Sequence, residues 1–277
     1  MSATSPYVVS ADWLQERLGK PGLSIVDGSW YLPAHGRDAR AEYQAGHIPG
    51  AVFFDHDRVV EPGSELPHTL PSPLLFAQFA SSMGVDEKDE IVVYAAPRVW
   101  WMFRLMGAHN VYVLDGGFDR WRREGRPVTA ETTKIASCFF EADCEPSRVV
   151  SFDEMKEIVG QGSAQIADAR PAGRFSGAEP EPRPGMRSGH MPGARNVPAA
   201  SLSREGSLLP VAELRAVLEG AGLDLSRPVV TSCGSGVTAA VISLALASVG
   251  HEDNRLYDGS WSEWGGRADT AIVTGDD

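Results

Sequence analysis

Cysteine is scarce: Cys138, Cys144 and Cys233 are the only three in 277 residues, and no pair is spaced C-x-x-C. That number and spacing support neither a zinc site nor a disulfide framework, and no cofactor is expected. Basic residues are also few, with 25 Lys and Arg against 37 Asp and Glu, a formal net charge of −12. This balance argues against nucleic acid and against an anionic membrane surface as partners, so an anionic substrate must be drawn in by local arginines. Long apolar runs are missing as well. The longest, Val237 to Val249, is too short to cross a bilayer and reads as a buried helix. Residues 1–10 have no cationic segment followed by an apolar core, so no secretory signal is expected and a cytoplasmic protein fits best.

What is present is a long-period repeat. Ile25-Val26-Asp27 recurs as Ile166-Ala167-Asp168, Gly46-His47-Ile48-Pro49-Gly50-Ala51 as Gly189-His190-Met191-Pro192-Gly193-Ala194, and Asp115-Gly116 with Trp121 as Asp258-Gly259 with Trp264. Offsets of 141 to 143 residues indicate one fold present twice rather than a solenoid. With 43% hydrophobic and 22% charged residues, the chain can bury a core in each copy. The boundaries expected are residues 1–126 for the first domain, 127–148 for a linker holding Cys138 and Cys144, and 149–277 for the second.

Both halves alternate short strands with helices, which implies an α/β fold: two tandem domains, each a mainly parallel sheet flanked by helices. In the first half strands are expected near 23–27, 51–53, 91–94 and 111–114, and helices near 11–18, 39–45, 73–83, 97–106 and 117–124. In the second half Ser151 with Glu154 forms a capping box for a helix to about residue 159. Strands follow near 165–168, 228–232 and 255–257, and helices near 211–219 and 237–249.

The copies differ in one place. Val93 to Asp115 spans 22 positions, but the matching Val230 to Asp258 spans 28, so the second half has six extra residues at Cys233-Gly234-Ser235-Gly236-Val237-Thr238. There an apolar strand feeds a glycine-punctuated loop that runs into an apolar helix. The glycines allow successive backbone N–H groups to turn toward one point, and the helix start adds its partial positive charge. Such a cradle stabilises an anion, and the thiolate is the nucleophilic form of cysteine. The first half passes from Tyr94 to Pro97 through Ala95 and Ala96 alone, so the second domain is expected to be catalytic and the first not.

The duplicated halves, the Asp-Gly signatures ending in Trp, and Cys-Gly-Ser-Gly-Val-Thr resemble the two-domain rhodanese family over nearly the whole chain, and within it the mercaptopyruvate-using branch. Thiosulfate-using members typically carry Cys-Arg-Lys-Gly, where Gly234 and Ser235 stand here. A dianion such as thiosulfate benefits from cations in the loop, whereas the single carboxylate of mercaptopyruvate can be gripped elsewhere. The resemblance implies a sulfurtransferase in which Cys233 takes sulfur from 3-mercaptopyruvate as a persulfide, releases pyruvate, and passes the sulfur to a thiol, thioredoxin among them, or to cyanide. It assigns Arg174 and Arg183 to the substrate carboxylate, and Ser235, His68 and Asp57 to a proton relay reaching across the domains. Gly234, Gly236, Val237 and Thr238 would line the substrate, Thr238 alternatively capping the helix. His47 and His190, present in both copies, read as turn residues, and Trp100 and Trp101 as packing. Related chains keep a longer loop where Tyr94 here meets Pro97.

Other classes remain in view. A cysteine phosphatase needs an arginine six positions after its cysteine, and Ala239 stands there. A persulfide carrier that processes no small donor, and a thiosulfate sulfurtransferase, share the same loop chemistry.

Overall fold

The computed structural model describes residues 5–32 and 35–275. The first half runs β1 (Val8–Val9), α1 (Ala11–Gln15), β2 (Leu23–Asp27), α2 (Ala39–Ala45), β3 (Ala51–Phe53), α3 (Pro73–Ser82), β4 (Glu90–Tyr94), α4 (Pro97–Leu105), β5 (Val111–Leu114) and α5 (Gly117–Arg123). The second runs β6 (Val149–Val150), α6 (Phe152–Gln161), β7 (Gln165–Asp168), α7 (Ala172–Ser176), β8 (Ala194–Asn196), β9 (Ser203–Arg204), β10 (Ser207–Leu208), α8 (Val211–Gly220), β11 (Val229–Ser232), α9 (Ala239–Ser248), β12 (Asn254–Tyr257) and α10 (Ser260–Trp264). The strand orders β1-β5-β4-β2-β3 and β6-β12-β11-β7-β8 are the same, and every pairing within these two sheets is parallel. The repeat read in the sequence is therefore a repeat of topology, with an antiparallel β9–β10 hairpin added in the second copy.

The central strands are covered on both faces, which is why they read as continuous apolar runs rather than alternating ones. Ile91 to Tyr94 in β4 and all of β11 are buried. Thr231 satisfies its hydroxyl in that setting by a 3.0 Å bond to Ser243 of α9. Helices α4 and α9 pack on each other, so a single apolar core joins Val93, Trp100 and Phe103 of the first half to Ala240, Leu244 and Val229 of the second. Trp100 and Trp101 are buried in it, as their place in an apolar helix suggested. Among the described residues no helix is long and apolar enough to cross a membrane.

Residues 127–148 lie against the first domain rather than hanging between the domains. Thr129 exchanges both backbone hydrogen bonds with His47, Phe140 packs on Phe76 and Phe103, and Asp143 and Glu145 donate to the last carbonyls of α4. His190 repeats the His47 arrangement by bridging to Val273. Both histidines are more than turn residues: each is buried, stacks on Tyr43 or Phe175, and has its Nδ1 within 2.9 Å of that residue's carbonyl.

Short elements escaped the sequence reading: β1, β6, β8, the hairpin, α7 and α10 have too few residues to display a period. Helix α9 starts at Ala239 instead of Val237 because the preceding loop bends through Gly236 at φ +75°. At the equivalent edge of the first sheet, Ala95 takes a left-handed φ of 83° and Pro97 opens α4 at once. Beside this edge lies a cavity of about 820 Å³, bordered by Asp27, Arg37, Ala95, Glu42, Arg122 and, across the junction, Leu208.

Candidate active site

Strand β11, central in its sheet, ends at Ser232 and delivers Cys233 to the carboxyl edge of the sheet, where open parallel sheets place their ligands. The thiol-bearing residue is 1% exposed. Helix α10 holds the loop from beneath: Ser260 Oγ accepts from the Cys233 amide at 3.2 Å, and the Trp261 amide donates to the Cys233 carbonyl at 2.9 Å. The Ser262 amide and hydroxyl both donate to the Gly234 carbonyl, at 2.8 and 2.6 Å. Among the described residues, no hydrogen bond from the amides of residues 234–238 to a backbone carbonyl or side chain is formed. Gly236 is required twice over. Besides its positive φ, a Cβ there would stand 2.9 Å from the Asp258 carbonyl and 3.0 Å from Arg98 Nη1.

Arg174 sits on α7, a short helix where a loop was expected. Its Nη2 lies only 3.0 Å from where a Cβ on Gly234 would be, which places the guanidinium beside the cysteine loop. A chain of buried charges fixes it: Asp168 at the end of β7 grips Arg170, Arg170 Nη1 bonds Glu181 at 2.8 Å, and Glu181 grips Arg174. Arg170 also covers the Trp261 ring at 4.3 Å. Arg183 is half-buried, with Nη1 3.4 Å from Ser262 Oγ. Burial lowers its pKa, and Ser262, its partner, also bonds the Gly234 carbonyl, which ties Arg183 to the cysteine loop.

His68 arrives from the first domain, in the long connection between β3 and α3. It is buried, and its backbone is left-handed at φ 58°. Its ring Nδ1 is 3.0 Å from Ser235 Oγ, and its Nε2 is 3.4 Å from Asp57 Oδ1. Burial first, then Arg183 and Arg98, push its pKa down to about 4, so the imidazole is neutral at pH 7. A carboxylate can only accept, so Nε2 carries the proton and Nδ1 is left to accept from the Ser235 hydroxyl. Asp57 itself is 72% exposed and is held by the Trp30 indole N–H at 3.3 Å, while the Trp30 ring meets His68 edge-on.

The structure thus gathers Cys233, Ser235, His68, Asp57, Arg174 and Arg183 around one point at the domain junction. Thr238 is exposed, and its side chain makes no cap bond, which removes the capping alternative; with Val237 it forms the outer rim of the loop. Cys138 lies on the first domain with its thiol against the Val85 carbonyl at 3.3 Å, and burial raises the pKa of both Cys138 and Cys144. Sequence reasoning passed over Arg98, Glu181, Ser260, Ser262 and Trp30. The signal for Arg98 was a lone cation near the start of an apolar helix, and for the two serines their place in the Asp258-to-Trp264 repeat.

A model of the rhodanese-like domain matches residues 10–124 and again residues 151–267. A 3-mercaptopyruvate sulfurtransferase of Escherichia coli (strain K12) is 43% identical over 279 residues, covering 98% of this chain and 99% of the relative. A thiosulfate sulfurtransferase of Gallus gallus is 42% identical over 274 residues, covering 94% of each. The crystal structure of a 3-mercaptopyruvate sulfotransferase from Escherichia coli superposes with a TM-score of 0.85 at 40% identity, covering 93% of this chain and 99% of the other.

Proposed function

The chain belongs to the rhodanese-like domain family, with two such domains in tandem, and on that premise we propose that it is a 3-mercaptopyruvate sulfurtransferase working through a persulfide on Cys233. The observation that carries this reading is the meeting of a cysteine in a glycine-punctuated loop with the guanidinium groups of Arg174 and Arg183 and with a hydroxyl–imidazole pair.

Arg174 and Arg183 take the carboxylate and keto oxygen of mercaptopyruvate, a pairing suited to planar forks. The Cys233 thiolate attacks the substrate sulfur; the S–S bond forms as the C–S bond breaks, and the electron pair leaves on carbon as pyruvate enolate. The proton lost from the substrate thiol reaches the enolate through the Ser235 hydroxyl and the neutral His68, yielding pyruvate. Cys233 then carries a persulfide, whose negative charge faces the free amides and the start of α9. A second thiolate attacks the outer sulfur, becomes a persulfide itself, and returns Cys233 as thiolate; cyanide serves the same role in an assay. The first domain supplies His68 and Asp57 but no nucleophile. A small thiol or a thioredoxin-like dithiol in the cytoplasm is the acceptor we favour.

A thiosulfate reading has support from the relative so named, but Gly234 and Ser235 put no cation in the loop to meet a dianion. Measuring kcat/KM for both donors decides between them: mercaptopyruvate is expected to be preferred by at least about tenfold, roughly 1.4 kcal/mol, and a preference for thiosulfate would reverse the assignment. Steady release of pyruvate also separates an enzyme from a passive persulfide carrier.

A further inference from the structure

We propose that Arg98 is a positioning residue, holding His68 and the Cys233 loop in register from within the domain junction; the inference rests on Cys233 being the sulfur carrier. Arg98 is the second residue of α4 in the first domain, and its side chain is 1% exposed. A guanidinium buried so completely is stable only where its donors are met. Here they are met by three separate segments of chain. Nη2 donates to the His68 carbonyl at 2.9 Å and to Asp258 Oδ1 at 2.6 Å, and Nη1 donates to the Gly236 carbonyl at 3.3 Å. The other carboxylate oxygen of Asp258 takes the Leu70 amide at 2.7 Å, which ties down the far side of His68.

Two of the bound carbonyls belong to residues with positive φ, His68 at 58° and Gly236 at 75°. Glycine accepts that conformation freely, whereas in histidine it is uncommon and carries a cost that the surroundings offset. The Arg98–Asp258 pair supplies the offset, and the conformation it holds is the one in which the His68 ring faces Ser235. Among the described residues the network occurs once. At the repeat's spacing Val241 replaces Arg98 in the second domain, and Asp115, the counterpart of Asp258, pairs with Arg120 of its own domain. Arg98 therefore acts through His68 and Gly236 and leaves the gripping of substrate to Arg174 and Arg183.

The test uses the full chain and measures persulfide formation in a single turnover with mercaptopyruvate, together with steady-state kcat and KM. Arg98→Met with Asp258→Asn removes both charges at once while keeping bulk over the Trp101 ring, which the Arg98 guanidinium covers at 4.7 Å, and an acceptor for the Leu70 amide. Its persulfide formation and kcat should fall about 10- to 100-fold, with KM changed less than about threefold. Arg98→Lys should recover part of the loss. A folded double variant with wild-type kcat, or one whose whole loss lies in KM, overturns the proposal. Should the double variant not fold, Asp258→Asn alone serves, since it weakens the anchor of Arg98: a drop in kcat supports the proposal and a wild-type kcat overturns it. Absence of persulfide in the wild-type protein would instead refute the functional reading itself.

Discussion

His68 Nδ1 and Ser235 Oγ lie 3.0 Å apart although 167 residues separate them, and they belong to different domains. This contact makes the junction, rather than either domain alone, the place where proton movement meets the sulfur. His68→Gln and Ser235→Ala should each lower kcat by about 100-fold, the low end of what a positioned acid–base group contributes. The double variant should be little worse than either single one, because groups acting in series are not additive. Full additivity in kcat would show the two acting separately.

Arg174 and Arg183 carry a different expectation. Replacing either with Ala should raise KM for mercaptopyruvate by about tenfold or more, the worth of a charge-assisted hydrogen bond. Persulfide formation at saturating donor should suffer less. Glu181 stays paired with Arg170 when Arg174 is removed, so the fold tolerates the change. Unchanged KM in both variants would remove the carboxylate grip from the mechanism.

Much of this arrangement was legible in the sequence, for identifiable reasons. The repeat gave the topology, and the six extra residues around Cys233 located the nucleophile, because length differences between copies of one fold fall in loops. Arg174 and Arg183 were nameable only through family resemblance, since a charge in a Pro- and Gly-rich stretch has no period to read. Arg98 and Asp258 were missed as a pair because 160 positions separate them and their remaining partners are the backbone groups of His68, Leu70 and Gly236, and a one-dimensional pattern holds no record of which backbone groups will need a partner. The first domain's edge shows the same limit: the shortness of Ala95-Ala96 was visible, but the cavity beside it, lined from both domains, was not.

Acid should destabilise the protein through two buried histidines. Burial first pushes the pKa of His56 down to about 4, and does the same for His68, against an ordinary value of 6.5. Between those values the unfolded chain binds more protons than the folded one, so stability is fully present above pH 6.5 and is lost as pH falls toward 4. The slope should reach about 1.4 kcal/mol per pH unit for each histidine. Urea unfolding from pH 7 to pH 4.5 measures it, and His56→Gln should flatten the curve. A free energy independent of pH across that range would contradict the burial of neutral imidazoles.

The central claim is that Cys233 carries the transferred sulfur, and intact mass spectrometry after brief exposure to mercaptopyruvate without acceptor tests it most directly. A gain of about 32 Da, one sulfur, is expected, removed by added thiol or cyanide and abolished by Cys233→Ser with the fold intact. Pyruvate release with no mass gain on the chain, or a gain that survives in the Cys233→Ser variant, would contradict it.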